Sequence, residues 1–64
     1  MMKIGVTTTR EAEEKLICRA ENVSEELKIP YIKRGNQSID KIFSGGNFDY
    51  LLVVERNRLV INGR

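Results

Sequence analysis

Histidine and tryptophan are absent from this 64-residue chain, and cysteine and proline occur once each. Without histidine the commonest general base and the commonest metal ligand are missing. The single thiol, Cys18, cannot close an intrachain disulfide, and a lone cysteine with no histidine makes neither a zinc site nor a Cys–His nucleophile pair. It falls mid-helix on the face opposite the apolar stripe described below, where an inert, exposed side chain is expected. Small secreted domains are usually stapled by several disulfides, so their absence points to a reducing, cytoplasmic setting. The longest aliphatic run is residues 51–54, well short of the roughly 20 apolar residues of a membrane span. Residues 1–6 carry no apolar signal core, so no membrane partner is expected. The five glycines form neither G-x-G-x-x-G nor G-x-x-x-x-G-K, which argues against a self-contained nucleotide or S-adenosylmethionine site.

What is present reads as one small globular domain over residues 1–64. The apolar fraction is 41%, the charged fraction 31%, and the formal net charge +2. This balance permits nucleic-acid binding without requiring it, since a basic face rather than the total charge decides.

The hydrophobic pattern switches period along the chain. Residues 3–7 (KIGVT) alternate and are β-branched, a first strand. Thr8-x-x-Glu11 matches a capping box, followed by Glu13 and Glu14 where a helix dipole favours anions. Ala12, Leu16, Ala20, Val23 and Leu27 step by three and four, predicting a helix over 10–28 that stops before Pro30. Residues 31–33 form a short second strand and residues 34–37 a turn. Ser38 caps a helix over 39–44 with Ile39, Ile42 and Phe43 inward, and Gly45-Gly46 supplies a left-handed end. Residues 50–55 form a third strand whose aliphatic core is apolar on both faces, as in sheets covered on both sides. Arg56-Asn57 is a hairpin turn in which Asn57 is able to take positive φ, leading to an antiparallel fourth strand over 59–61. The fold class is therefore α/β, βαβαββ, a small mixed four-stranded sheet. With strands numbered along the chain, the order 2-1-3-4 puts the two helices on opposite faces. Asn62-Gly63 is a strong hairpin signal followed only by Arg64. On that signal the chain is expected to be an N-terminal fragment of a longer protein.

In open parallel sheets, ligands bind beyond the carboxyl ends of the strands. The chain brings to that edge the hydroxyls of Thr7, Thr8 and Thr9 and the cations Arg10, Lys33, Arg34 and Arg56. The candidate anion or nucleic-acid residues are thus Thr8, Thr9, Arg10, Lys33, Arg34 and Arg56, beside a helix N-terminus. Ordinary turn, capping and solubility roles are the competing reading of the same residues, and Glu11, Glu13 and Glu14 oppose the positive field. Tyr31 and Tyr50 could stack bases or simply pack. Tyr50 opens its strand at the opposite edge and does not join this cluster. No pair of side chains has a spacing that suggests acid–base catalysis, so no catalytic, cofactor-binding or metal-binding residue is assigned, and the chain is not expected to be an enzyme on its own.

Val6-Thr7-Thr8-Thr9-Arg10, Glu13-Glu14-Lys15-Leu16, Glu25-Glu26-Leu27-Lys28-Ile29-Pro30-Tyr31, Lys33-Arg34, Ser38-Ile39, Asp49-Tyr50-Leu51-Leu52-Val53-Val54 and Arg58-Leu59-Val60 together form a pattern over nearly the whole chain. It resembles the short N-terminal domain that precedes the catalytic domain in a family of bacterial S-adenosylmethionine-dependent methyltransferases. The resemblance implies a non-catalytic accessory domain, a downstream catalytic domain as partner, and S-adenosylmethionine as that domain's cofactor, with no cofactor residue in this chain. A second resemblance is to Brix-type RNA-binding domains, through Thr7-Thr8-Thr9-Arg10 and Arg34-Gly35-Asn36-Gln37-Ser38, and implies an RNA-binding α/β module. Where that family has a basic, serine-rich helix start, this chain has Glu11-Ala12-Glu13-Glu14. A stand-alone interaction domain, or a homo-oligomer paired through an exposed sheet edge, is the third expectation.

Overall fold

The computed structural model describes residues 2–46 and 48–64. The alternating β-branched segment forms strand β1, Ile4–Thr8, buried over most of its length. Helix α1, Glu14–Leu27, and helix α2, Ile39–Gly45, follow. Strands β2, Tyr50–Val54, and β3, Leu59–Gly63, complete the chain. β1 pairs with β2 in parallel and β2 with β3 antiparallel, giving a three-stranded mixed sheet of order β1-β2-β3.

The α/β class holds, but the four-stranded sheet of order 2-1-3-4 is not found. Residues 31–33 make one parallel bridge, Tyr31 to Val6, rather than a strand. The Val6 N–H donates to the Pro30 carbonyl at 2.9 Å, and the Ile32 N–H donates to the Val6 carbonyl at 2.7 Å. Pro30 has no N–H to extend the ladder backwards. Forwards, the Ile32 carbonyl accepts instead from the Thr7 hydroxyl at 2.9 Å. The chain then turns away, with the Gln37 N–H donating to the Arg34 carbonyl at 3.0 Å and Gly35 at φ +57°. Only glycine takes that left-handed conformation without steric cost.

The pleat sends alternate residues to opposite faces, and each face has its own helix. Val6 and Val54 pack with Ala20 of α1, joined by Leu16, Val23, Ile29, Tyr31 and Leu52. Leu51 packs with Ile42 and Phe43 of α2, joined by Ile32, Ile39 and Phe48. The two-sided apolar run of β2 is thus explained. Each fully buried aliphatic side chain contributes roughly 1.5–3 kcal/mol, and in a domain this small few can be spared.

Helix α1 starts four residues later than the predicted 10–28 because Thr8 is committed elsewhere. It is paired with Val54 at the end of β1 and only 4% exposed, so it cannot cap. The Ala12 N–H closes a turn onto the Thr9 carbonyl at 3.2 Å, and Glu13 becomes the N-cap without a side-chain cap. The Thr8–Glu11 capping box does not form. Leu27, assigned to the inner stripe, is half exposed, whereas Ser24 is buried. The left-handed helix end lies at Lys28, φ 57°, and not at Gly45-Gly46, where Gly46 is extended. α2 is capped as expected: the Lys41 N–H donates to the Ser38 hydroxyl at 3.2 Å.

In the hairpin the Glu55 N–H donates to the Arg58 carbonyl, and Asn57 does not use the positive φ open to it. Asn62-Gly63 is not a turn. Both residues extend β3, with Asn62 opposite Leu51 and Gly63 opposite Tyr50. β2 offers a complete pairing partner there, and this outweighs the local turn preference. The Arg64 N–H donates to the Asp49 carbonyl, which fixes the phase of the ladder. Val60 and Asn62 face β2 with their peptide groups, while those of Leu59, Ile61 and Gly63 face the free edge.

Candidate functional site

The carboxyl ends of β1 and β2 open into a groove of about 940 Å³. Three loops and one helix end build it. Thr9, Arg10 and Glu11 come from the turn after β1, Arg34 from the turn after the Tyr31 bridge, and Glu55, Arg56, Asn57 and Arg58 from the hairpin. Glu13, Lys15 and Leu16 come from the start of α1. Parallel pairing of β1 with β2 places the first and third loops side by side. The Tyr31 bridge on the other side of β1 brings Arg34 to the same end.

Of the residues expected at this edge, Thr9, Arg10, Arg34 and Arg56 line the groove. Thr8 and Lys33 do not: Thr8 is buried as the last residue of β1 and Lys33 is exposed outside the lining. Thr7 is fully buried, its hydroxyl committed to Ile32. Lys15 and Arg58 are cations that the sequence reading missed. Arg58 follows directly on the Arg56-Asn57 turn, and Lys15 stands one residue before the inner-stripe Leu16, so both signals were present in the element boundaries.

The groove has five basic side chains (Arg10, Lys15, Arg34, Arg56, Arg58) and three carboxylates (Glu11, Glu13, Glu55). The carboxylates are not distributed evenly among the cations. Glu55 accepts from Arg58 Nε at 3.1 Å, the one ion pair among the described residues. Arg10, Arg34 and Arg56 have no carboxylate at that range among the described residues. Arg34 Nε donates to the Gln37 carbonyl at 2.9 Å, which holds its guanidinium over its own turn. The Arg34 pKa is lowered from its ordinary value, first by burial and then by the charge of Arg10. Both arginines line the groove, and their like charges oppose one another across it. The Arg56 carbonyl accepts from Arg19 Nη1 of α1 at 3.4 Å, tying the hairpin loop to the helix.

Such a site can bind an anion. Arginine presents several donors in a planar fork that matches phosphate or carboxylate oxygens. Cys18 is exposed on α1 and does not line the groove. Among the described residues no group of three or more His, Cys, Asp or Glu side chains could hold a metal ion. No described helix is long and apolar enough to cross a membrane. A smaller depression at the opposite edge is lined by Met2, Asp49, Tyr50, Gly63 and Arg64.

No family model matches the sequence, and neither a curated protein nor a solved structure matches it.

Proposed function

We propose that this chain is a non-catalytic binding module that holds the phosphodiester backbone of single-stranded RNA in the groove beyond β1 and β2. The observation that carries this reading is that Arg10 and Arg34 line the same groove, two like charges without a carboxylate ion-pair partner among the described residues. An anion between them relieves their repulsion and takes up their free donors. Arg56 extends the charge across the groove, and the Glu55–Arg58 pair leaves its far wall close to neutral. Phosphate contacts of this kind fix position and carry no sequence information. The expected behaviour is therefore weak, salt-sensitive binding with little base preference. Fluorescence anisotropy with a labelled single-stranded RNA tests it. Arg34→Ala should weaken binding by roughly tenfold, the equivalent of one lost charged contact at about 1.4 kcal/mol. Binding unaltered in Arg34→Ala and in Arg10→Ala would refute the assignment.

A second reading is favoured by a different observation: Leu59 and Ile61 of β3 are 44% and 67% exposed, on the sheet face that α1 covers only over β1 and β2. An accessory domain of an S-adenosylmethionine-dependent methyltransferase would use that apolar face against a downstream catalytic domain, the cofactor being held there and not in this chain. Co-purification of this chain with a separately expressed catalytic domain of that class tests it, and no interaction at high concentration counts against it.

A further inference from the structure

We infer that two copies of this chain pair through the free edge of β3 about a two-fold axis at Ile61. The inference is independent of RNA binding, since the edge lies outside the groove.

Edge strands normally carry a device against such pairing: a charged residue, a proline, a bulge or a covering loop. β3, with the sequence LVING, has no charge and no proline, and it runs in unbroken register with β2 from Leu59 to Gly63. The phase of that ladder leaves the N–H and C=O of Leu59, Ile61 and Gly63 pointing outward. Among the described residues no hydrogen bond reaches them from outside β3.

The free edge pairs all three of its outward residues in one antiparallel register, and a slip by two residues leaves outward groups unpaired. With Ile61 opposite Ile61 of a second copy, Leu59 lies opposite Gly63 and Gly63 opposite Leu59. Every outward donor then meets an outward acceptor, and none is left over within the strand. A shift by one residue would set outward groups against inward ones and reverse the faces. The side chains agree with this register. Leu59 lies over a glycine, and the two exposed Ile61 side chains meet on the α1 side of the sheet, beyond the part that the helix covers. Hydrogen-bonded antiparallel partners stand about 5.5 Å apart between Cα atoms, within side-chain contact. Outside the strand, Arg58 comes opposite Arg64 of the second copy, an opposition tempered by the Arg58–Glu55 ion pair. The second copy is a better occupant than an unrelated peptide because the uncharged edge offers that peptide no pattern except its own.

Sedimentation velocity over a concentration series tests the proposal, with circular dichroism to confirm folding. The native chain should reach a dimer, and Ile61→Lys should sediment as a monomer with an unchanged spectrum, since Ile61 is mostly solvent-exposed. Ile61→Pro should do the same. It removes only an outward N–H and leaves the β2 ladder intact. Register is read by oxidation in a Cys18→Ser background. Ile61→Cys should cross-link to a dimer, the expected Cα separation lying inside the range a disulfide spans. Val60→Cys, which faces Asn62 of the second copy, should not. A native chain that stays monomeric at every concentration would overturn the inference. So would a dimer indifferent to both Ile61→Lys and Ile61→Pro, or equal cross-linking by the two cysteine variants.

Discussion

Gly5 shows how a single residue sets the spacing between layers. It lies buried in β1 on the α2 side, and a Cβ there would collide with Ile32 Cδ1 and stand 2.9 Å from Phe48 Cε1. Both neighbours pack against the second core, so making room for a Cβ repositions the Ile32 methyl and the Phe48 ring beside Leu51 and Phe43. Gly5→Ala should therefore destabilise the fold by about 1–3 kcal/mol, the usual cost of overpacking, as a urea titration would measure. At Arg34 the decisive quantity is charge. A cation whose folded-state pKa is lowered destabilises the fold while it is charged, and that cost is relieved only as pH rises through the folded-state value. Arginine stays protonated far above neutral pH, so Arg34 gives no pH-dependent stability in the ordinary range. An anion can relieve the Arg10–Arg34 repulsion instead. Adding pyrophosphate should raise the melting temperature by mass action. With no histidine to titrate in the chain, the pH dependence of the rise from about pH 6 to pH 9 should follow the ionisation of pyrophosphate itself, growing as its negative charge grows. An unchanged melting temperature would show that the pair does not hold an anion.

At the scale of elements, the termini divide the readable from the unreadable. The Ser38 cap, the apolar side of α2 and the β2–β3 hairpin follow from short-range chemistry, and local sequence states them. The start of α1 does not, because Thr8 can cap a helix or extend a strand. Its pairing with Val54, more than forty residues away in sequence, decides between the two. Asn62-Gly63 is the same conflict at the other end, where pairing with β2 overrides the strongest local turn signal. The bridge at Tyr31 failed to become a strand for want of a donor at Pro30. Arg10, Arg34 and Arg56 were legible as one edge because parallel pairing sends successive carboxyl ends to the same side. Thr8 and Lys33 dropped out because register and burial are not visible in composition. The C-cap of α1 carries a measurable consequence. Lys28 sits at φ 57°, where a side chain costs roughly 1 kcal/mol relative to glycine. Lys28→Gly should stabilise the chain by up to that amount in chemical denaturation, and a destabilised variant would mean that the lysine side chain contributes packing or charge there.

For the whole molecule, the arrangement separates two surfaces. The groove beyond the parallel strands is charged and formed by loops, and the β3 edge is uncharged and formed by backbone. A 64-residue sheet protein with two thin cores has little stability to spare. The groove arginines repel one another, and a bound anion would remove that repulsion. The most direct test of this account is the salt dependence of single-stranded RNA binding by the native chain and by the Arg10→Ala/Arg34→Ala double variant. Each phosphate contact contributes about −0.7 to the slope of log K against log salt for single strands. The account predicts weak binding by the native chain with a slope that becomes shallower by roughly 1.4 in the double variant, two contacts having been lost. Equal slopes for the two proteins, or no binding by the native chain at low salt, would contradict it.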